Sequence, residues 1–385
     1  MRILQVHNIF IGKTGEETVI EEERTVLEKN GHSVVQFFKD SSEIGQSGIA
    51  NRALIYTRLK NSRAIGKELS AVIDREKPDI CHVHNTFPII TPIVYEVCNK
   101  KGIPVIKTLH NYKMVCTNSL MFRDGQVCQV CLNKSFYNSI KYKCYRASYL
   151  AKAVQANVLQ HHRDMGTWSK RVDAYFCLTE FQKNLLVSGG LPEERMFVKP
   201  NFIKEASSKI AYENFFLFVG KVDDYKGLQD LLFLFQKNTI SKFVVIGKSK
   251  NQNVFKQFSN VEYLGEQGRD VVIDHMARCR AVIFPSLYYE GMPMVILEAF
   301  SHRKMVISRN RGAMSSMVIE NYNGLKYEQV EDLVQIISKL EAEGNLSIEL
   351  GKKGYLDYQN KYSEDKGYEK LIELYSILIE KKSSQ

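Results

Sequence analysis

The sequence has no low-complexity tract and no uninterrupted apolar run of about 18 residues. The first absence excludes disorder as the dominant state, and the second excludes a transmembrane helix and leaves only peripheral membrane contact. A signal-peptide core is not expected either, because the charged run Glu21 to Arg24 follows MRILQVHNIF too soon. The expected location is therefore the cytoplasm, against the inner face of the cell membrane if a membrane is involved. No G-x-G-x-x-G follows the first apolar run, so a Rossmann oxidoreductase is excluded. Gly12, Lys13 and Thr14 mimic the end of a Walker loop, but His7 stands where that motif needs a glycine, and nucleotide hydrolysis is excluded with it. No internal repeat is visible.

What is present is an ordinary globular composition of 44% hydrophobic and 25% charged residues over 385 positions. That length exceeds what one core normally serves and predicts two domains. The net charge of +10 suits anionic partners such as nucleotides, phosphorylated lipids or membrane surfaces. It suits nucleic acid equally on charge alone, but nothing else points there and no nucleic-acid partner is expected. Eight cysteines in a cytosolic chain are expected as reduced thiols.

Short β-rich runs alternate with helical segments: ILQVH, a helix near Glu16 to Asn30, SVVQFF, a basic helix near Asn51 to Lys77, DICHVH, a helix near Pro92 to Lys101, and PVIKTLH. The alternation predicts parallel strands with crossover helices. It breaks between about Asn111 and Arg171, then resumes with DAYFCLT and MFVKPNFI, where Pro200 marks a linker. A second series follows, FFLFVG, KFVVIG, VEYLG, RAVIFPS and KMVIS, each separated by helical sequence. The expected division is residues 1–200 and 201–363, with an insertion at about 111–171 and a last helix, about 364–385, crossing back onto the first domain.

Residues 285–308, PSLYYEGMPMVILEAFSHRKMVIS, carry the most chemistry. Glu290 follows a strand-loop, Gly291 allows close backbone approach, Met292 follows it, and Pro293 suits the first turn of a helix that runs past Glu298. Loop reach plus helical rise predicts roughly 10 Å between the two carboxylates. Each can accept two charge-assisted hydrogen bonds from a vicinal diol, and the helix N-terminus between them offers N–H groups to a diphosphate. In NFFLFVGKVDDYKGLQDLL, a buried strand ends at Gly220, and Lys221 and Lys226 follow at its C-terminal edge. Two ammonium groups there suit a leaving diphosphate, which gains negative charge as its bond to the sugar breaks; taken singly, each is equally a solvated surface lysine. His110, in VIKTLHN, ends a strand where open α/β sheets collect ligands. His84, in HVHN, also ends a strand, and its role stays open.

The E-x7-E spacing and the EGMPMVILEAF context closely resemble glycosyltransferase family 4. By that resemblance the chain adopts the α/β GT-B fold, with two Rossmann-like domains of parallel sheet facing a cleft. The first domain holds the acceptor and the second the nucleotide sugar. The resemblance implies that Glu290 binds the donor sugar, Glu298 the ribose, and Lys221 and Lys226 the diphosphate, with Lys221 standing where an arginine is common. It places Gly15 and Glu16 in the acceptor-side glycine loop, where Thr14 replaces the first of the family's paired glycines, and it turns His110 toward the donor sugar. Gly15, Gly220, Gly291, Met292 and Pro293 complete the expected donor site. Asn201 matches the family's P-N pair, while a second glycine expected after Gly247 is missing. The implied activity is retaining transfer of a hexosyl group from a UDP- or GDP-sugar to a saccharide or polyprenyl-linked saccharide, in surface polysaccharide assembly. No D-x-D triplet is present, in keeping with catalysis that requires no metal or other cofactor. A nucleotide-sugar epimerase or hydrolase of the same fold, or a non-catalytic carbohydrate-binding relative, are the alternatives.

Cys116, Cys128, Cys131 and Cys144 are spaced C-x11-C-x2-C-x12-C. Four such thiolates would close a structural zinc site, or else pack as small hydrophobes. From Lys134 to Arg171, eight basic residues (134, 141, 143, 146, 152, 163, 170 and 171) face one acid, Asp164, and six aromatic residues are interleaved. The stretch reads as a dock for anionic lipid or as a solvated basic face.

Overall fold

A computed structural model describes residues 1–9, 15–42, 62–144, 148–206 and 209–384. Gly12, Lys13, Thr14 and the first half of the expected basic helix lie outside the described residues. The chain divides into two compact units. The first comprises Met1–Leu120, Gln129–Pro200 and Gly367–Gln385, and the second Met121–Cys128 and Asn201–Lys366.

In chain order the strands are β1 (Arg2–Ile9), β2 (Ser33–Asp40), β3 (Ile80–Asn85), β4 (Val105–Leu109), β5 (Phe122–Arg123), β6 (Gln126–Val127), β7 (Ala174–Cys177) and β8 (Met196–Val198). The first unit holds a six-stranded sheet in the order β2-β1-β3-β4-β7-β8, with every pair parallel. Strands β3 and β4 are buried along their whole length, β3 with His82, His84 and Asn85 and β4 with Lys107 and Thr108 among their apolar residues. The helix Gly15–Lys29 carries Glu16 and Glu17 in its first turn and Lys29 in its last, matching its dipole. Its buried stripe is Val19, Ile20, Glu23, Val26 and Leu27. That 3–4 spacing packs the helix on the sheet and carries one carboxylate inward.

The second unit repeats the plan with β9 (Phe215–Val219), β10 (Lys242–Ile246), β11 (Val261–Gly265), β12 (Ala281–Phe284), β13 (Met305–Arg309) and β14 (Gly324–Tyr327). The order is β11-β10-β9-β12-β13-β14, again all parallel. Its core packs Phe216, Phe218, Phe243, Ile283 and Ile307 against Leu231, Leu234, Leu333 and Ile337 from the covering helices. Parallel strands joined by helices put all their C-terminal ends on one edge, so each sheet builds one ligand-facing rim.

Candidate active site

In the second unit the rim begins where β9 ends. Gly220 has φ 147°, and a Cβ on Gly247, at the end of β10, would stand 1.8 Å from the Gly220 carbonyl oxygen. The two strand ends approach this closely because Gly247 has no side chain. Lys221 follows, half-exposed, with its ammonium 2.5 Å from Asp223 and 2.9 Å from the Tyr225 hydroxyl. These two hydrogen bonds hold it charged by raising its pKa. Lys226 sits in the turn before the helix Leu228–Lys237. Gly227 closes that turn at φ 87°, where a Cβ would lie 2.3 Å from the Pro285 carbonyl oxygen. This contact presses the lysine turn onto the loop after β12.

The loop carries Glu290, which is buried. Its Oε1 accepts from Lys226 Nζ at 2.7 Å and from Ser286 Oγ at 2.7 Å, and its Oε2 accepts from the Tyr288 hydroxyl at 2.5 Å. Neither Ser286 nor Tyr288 is evident as a partner from the motif alone. Pro293 takes the cap position, with ψ 114°, rather than the first turn expected of it; the helix Met294–Ser301 starts one residue later. No side chain caps it, so its first N–H groups stay available to an anion. Met292 is buried, and the backbone N–H of Asn201 donates to its sulfur at 3.2 Å. Glu298 lies on the same helix, with Arg269 Nη1 3.3 Å from its Oε1. Burial raises the Glu298 carboxyl above the usual range, and the Arg269 charge opposes the rise. Arg269 also escapes the motif, because it opens a different helix, Arg269–Arg278.

In the first unit, adjacent strands bring His7, His84 and His110 to the same end of the sheet. His84 Nδ1 lies 3.0 Å from His110 Nε2, and the two rings stack at 5.3 Å. Burial is the main cause that pushes both imidazoles well below their ordinary pKa, with neighbouring imidazoles and Lys199 adding to it. Below them, His82 bonds Thr108 Oγ1 at 2.7 Å and the Tyr375 hydroxyl at 2.6 Å. A cavity of about 30 Å³, room for about one water, lies between His84, Lys107, His110 and Asn111. Asn111 Nδ2 donates to Glu16 Oε1 at 3.1 Å, next to Gly15 at the start of its helix.

The sequence matches the model for "Glycosyltransferase Family 4" over residues 14–206, half of the chain, and that for "Glycosyl transferases group 1" over residues 201–357. The chain belongs to glycosyltransferase family 4. An uncharacterised glycosyltransferase of Methanocaldococcus jannaschii is 28% identical over 80% of this chain and 77% of its own length. CapM, a capsular polysaccharide biosynthesis glycosyltransferase of Staphylococcus aureus, is 24% identical over 50% of this chain and 54% of its own. Anabaena HepE, solved with UDP and glucose, superposes with a TM-score of 0.63 at 14% identity, covering 98% of this chain and 99% of its own. That last likeness speaks for the fold, the two-unit parallel α/β architecture of the GT-B class.

Two features lie outside the family motifs, the cysteines and the basic stretch. None of the eight cysteines forms a disulfide. Among the described residues, the group of three or more His, Cys, Asp or Glu ligand atoms lying within 4.8 Å of one another is Glu23, His82 and His84. Cys116, Cys131 and Cys144 lie in the first unit, and the Cys116 thiol donates to Asn118 Oδ1 at 2.9 Å. In the family member's basic insertion, Phe136 and Trp168 are core residues, and the Arg163 guanidinium lies 3.8 Å over the Phe136 ring. Among the described residues there, the exposed large hydrophobic side chains are Tyr137, Tyr149, Leu150 and Met165.

Proposed function

We propose that the protein is a retaining hexosyltransferase that takes a sugar from a UDP- or GDP-sugar and passes it to a saccharide or polyprenyl-linked saccharide in surface polysaccharide assembly. The observation that carries this reading is the Lys226–Glu290 pair beside an uncapped helix start, with Glu298 on the same helix. Without donor, Glu290 is satisfied by Lys226, Ser286 and Tyr288. With donor, sugar hydroxyls take the place of these donors on Glu290, and Lys226 is released toward the diphosphate together with Lys221. Glu298 accepts the ribose hydroxyls, the first N–H groups of the helix Met294–Ser301 hold the phosphates, and His110 serves the transferred sugar.

Neither Glu290 nor Glu298 is needed as a nucleophile in this scheme. The bond between the anomeric carbon and the phosphate oxygen breaks while the acceptor oxygen bonds to that carbon on the same face. The acceptor's proton passes to the leaving phosphate, whose charge Lys221 and Lys226 stabilise. The relatives' names support the assignment: one acts in capsular polysaccharide biosynthesis, and another is an O-antigen chain mannosyltransferase of Escherichia coli. No helix among the described residues is long and apolar enough to cross a membrane. We assign any membrane contact to the exposed Tyr149 and Leu150 at the start of the helix Tyr149–Asp164. Incubation of the protein with a nucleotide sugar and an acceptor, followed by product analysis, tests the reading. A glycosylated acceptor with unchanged anomeric configuration supports it. Free sugar or an epimer formed without acceptor contradicts it.

A further inference from the structure

A chain of buried polar groups in the first unit leads from Lys199 to His110. The Lys199 ammonium bonds Glu23 Oε1, and both side chains are excluded from solvent. Glu23 Oε2 stands 3.6 Å from His84 Nε2. Among the described residues neither of these two atoms has a hydrogen-bond partner, although both are buried. The next link is the 3.0 Å contact from His84 Nδ1 to His110 Nε2.

Glu23 also stands 3.6 Å from His82 Nδ1, which makes Glu23, His82 and His84 a formal metal-ligand set. Two observations favour a cation-free reading. Lys199 already supplies the positive charge beside Glu23, and both nitrogens of His82 are engaged, by Tyr375 and Thr108. A metal would have to displace or deprotonate that buried lysine.

We propose that Glu23 sets the tautomer of His110 through His84, making His110 present a bare Nδ1 as a hydrogen-bond acceptor for a substrate hydroxyl. The inference rests on the proposed function only for the identity of that hydroxyl. A carboxylate facing an imidazole nitrogen at 3.6 Å repels its lone pair and attracts its N–H, so the His84 proton sits on Nε2. His84 Nδ1 is then bare and accepts, so His110 donates from Nε2–H. The burial and positive neighbours that keep both rings neutral then leave His110 Nδ1 without a proton. Glu23 and His84 are positioning residues: they fix the polarity of His110 without meeting the substrate.

Glu23→Gln tests the relay with almost no change of shape. Lys199 holds the glutamine carbonyl oxygen, so the amide N–H faces His84 Nε2. That reverses each step: His84 carries its proton on Nδ1, donates to His110 Nε2, and His110 Nδ1 becomes a donor. Long-range ¹H–¹⁵N correlation on the full-length, ligand-free, ¹⁵N-histidine-labelled protein reads the tautomers directly, with His84→Asn and His110→Asn spectra for assignment. The wild type should show both rings protonated on Nε2, and Glu23→Gln should show both on Nδ1. A wild-type His110 protonated on Nδ1, or a folded Glu23→Gln protein with both tautomers unchanged, overturns the proposal. Where Glu23→Gln does not fold, the wild-type spectrum decides alone. The measurement uses no sugar, so failure of the transferase reading leaves its result intact.

Discussion

Glu298 and Gly227 show how single residues serve the site by different means. Glu298 offers two acceptor oxygens, so Glu298→Ala should lose one or two charge-assisted hydrogen bonds of about 1.5–3 kcal/mol each and weaken donor binding by roughly ten-fold at the least and roughly 20,000-fold at the most. Gly227 offers only the absence of a side chain. Gly227→Ala should cost about 2–4 kcal/mol, because the new methyl would meet the Pro285 carbonyl at a backbone angle that L-residues avoid. A lowered melting temperature, with Lys226 no longer supporting donor binding, is the expected result; an unchanged melting temperature would show that the turn relaxes freely. Glu290, Glu298, Lys226 and His110 stand out in the sequence because motif and strand-end position mark them, and the roles proposed for them come from the family resemblance. Glu23 was hidden by its surroundings: it sits in the run Glu21 to Arg24, which reads as solvated until helical phase places it four residues from Val19 and three from Val26. Ser286, Tyr288 and Arg269 were hidden because their contacts form only in three dimensions.

At the scale of elements, β4 (VIKTL) buries a lysine and a threonine among its apolar residues. Burial pushes the Lys107 ammonium down to about 7, and its Nζ donates to the His84 carbonyl at 2.9 Å. Its ordinary value is near 10.5. Between these values the unfolded chain holds a proton that the folded chain lacks, so stability rises with pH across this window, by at most about 1.4 kcal/mol per pH unit. Lys107→Met should remove that slope in denaturant titrations between pH 7 and 10, and an unaltered slope would show that the ammonium stays charged when folded. Strands such as β9 (FFLFV) and β12 (AVIF) were legible because parallel strands buried on both faces are written as unbroken apolar runs. The stretch from Asn111 to Arg171 was not, because the helix Tyr149–Asp164 buries Lys152, Gln155 and His162 and so blurs its apolar stripe, while Asn138–Lys141 and Thr167–Lys170 are too short to show a period. Phe136 and Trp168 therefore looked like surface aromatics beside lysines, when they are core.

At the scale of the molecule, each unit builds its own sheet and its own rim, and the chain finishes in the first. Leu371, Leu374, Tyr375 and Leu378 of the last helix are buried, and the Tyr375 hydroxyl reaches His82. Truncation after Lys366 should therefore destabilise the first unit while sparing the second, with two separated thermal transitions in place of the intact protein's pattern; a first unit of unchanged stability would show that the helix is dispensable. The tandem βα series made the two-unit plan readable, but nothing in one sequence identifies the transferred sugar, since that choice depends on pocket side chains that carry no spacing signature.

The most direct test of donor binding at Glu290 and Glu298 is thermal-shift measurement of the purified protein against UDP-, GDP-, ADP- and CMP-sugars without added metal, in wild type and Glu298→Ala. A stabilising shift with a UDP- or GDP-sugar that disappears in Glu298→Ala is the expected result. No shift with any donor, or a shift that Glu298→Ala leaves intact, would contradict it.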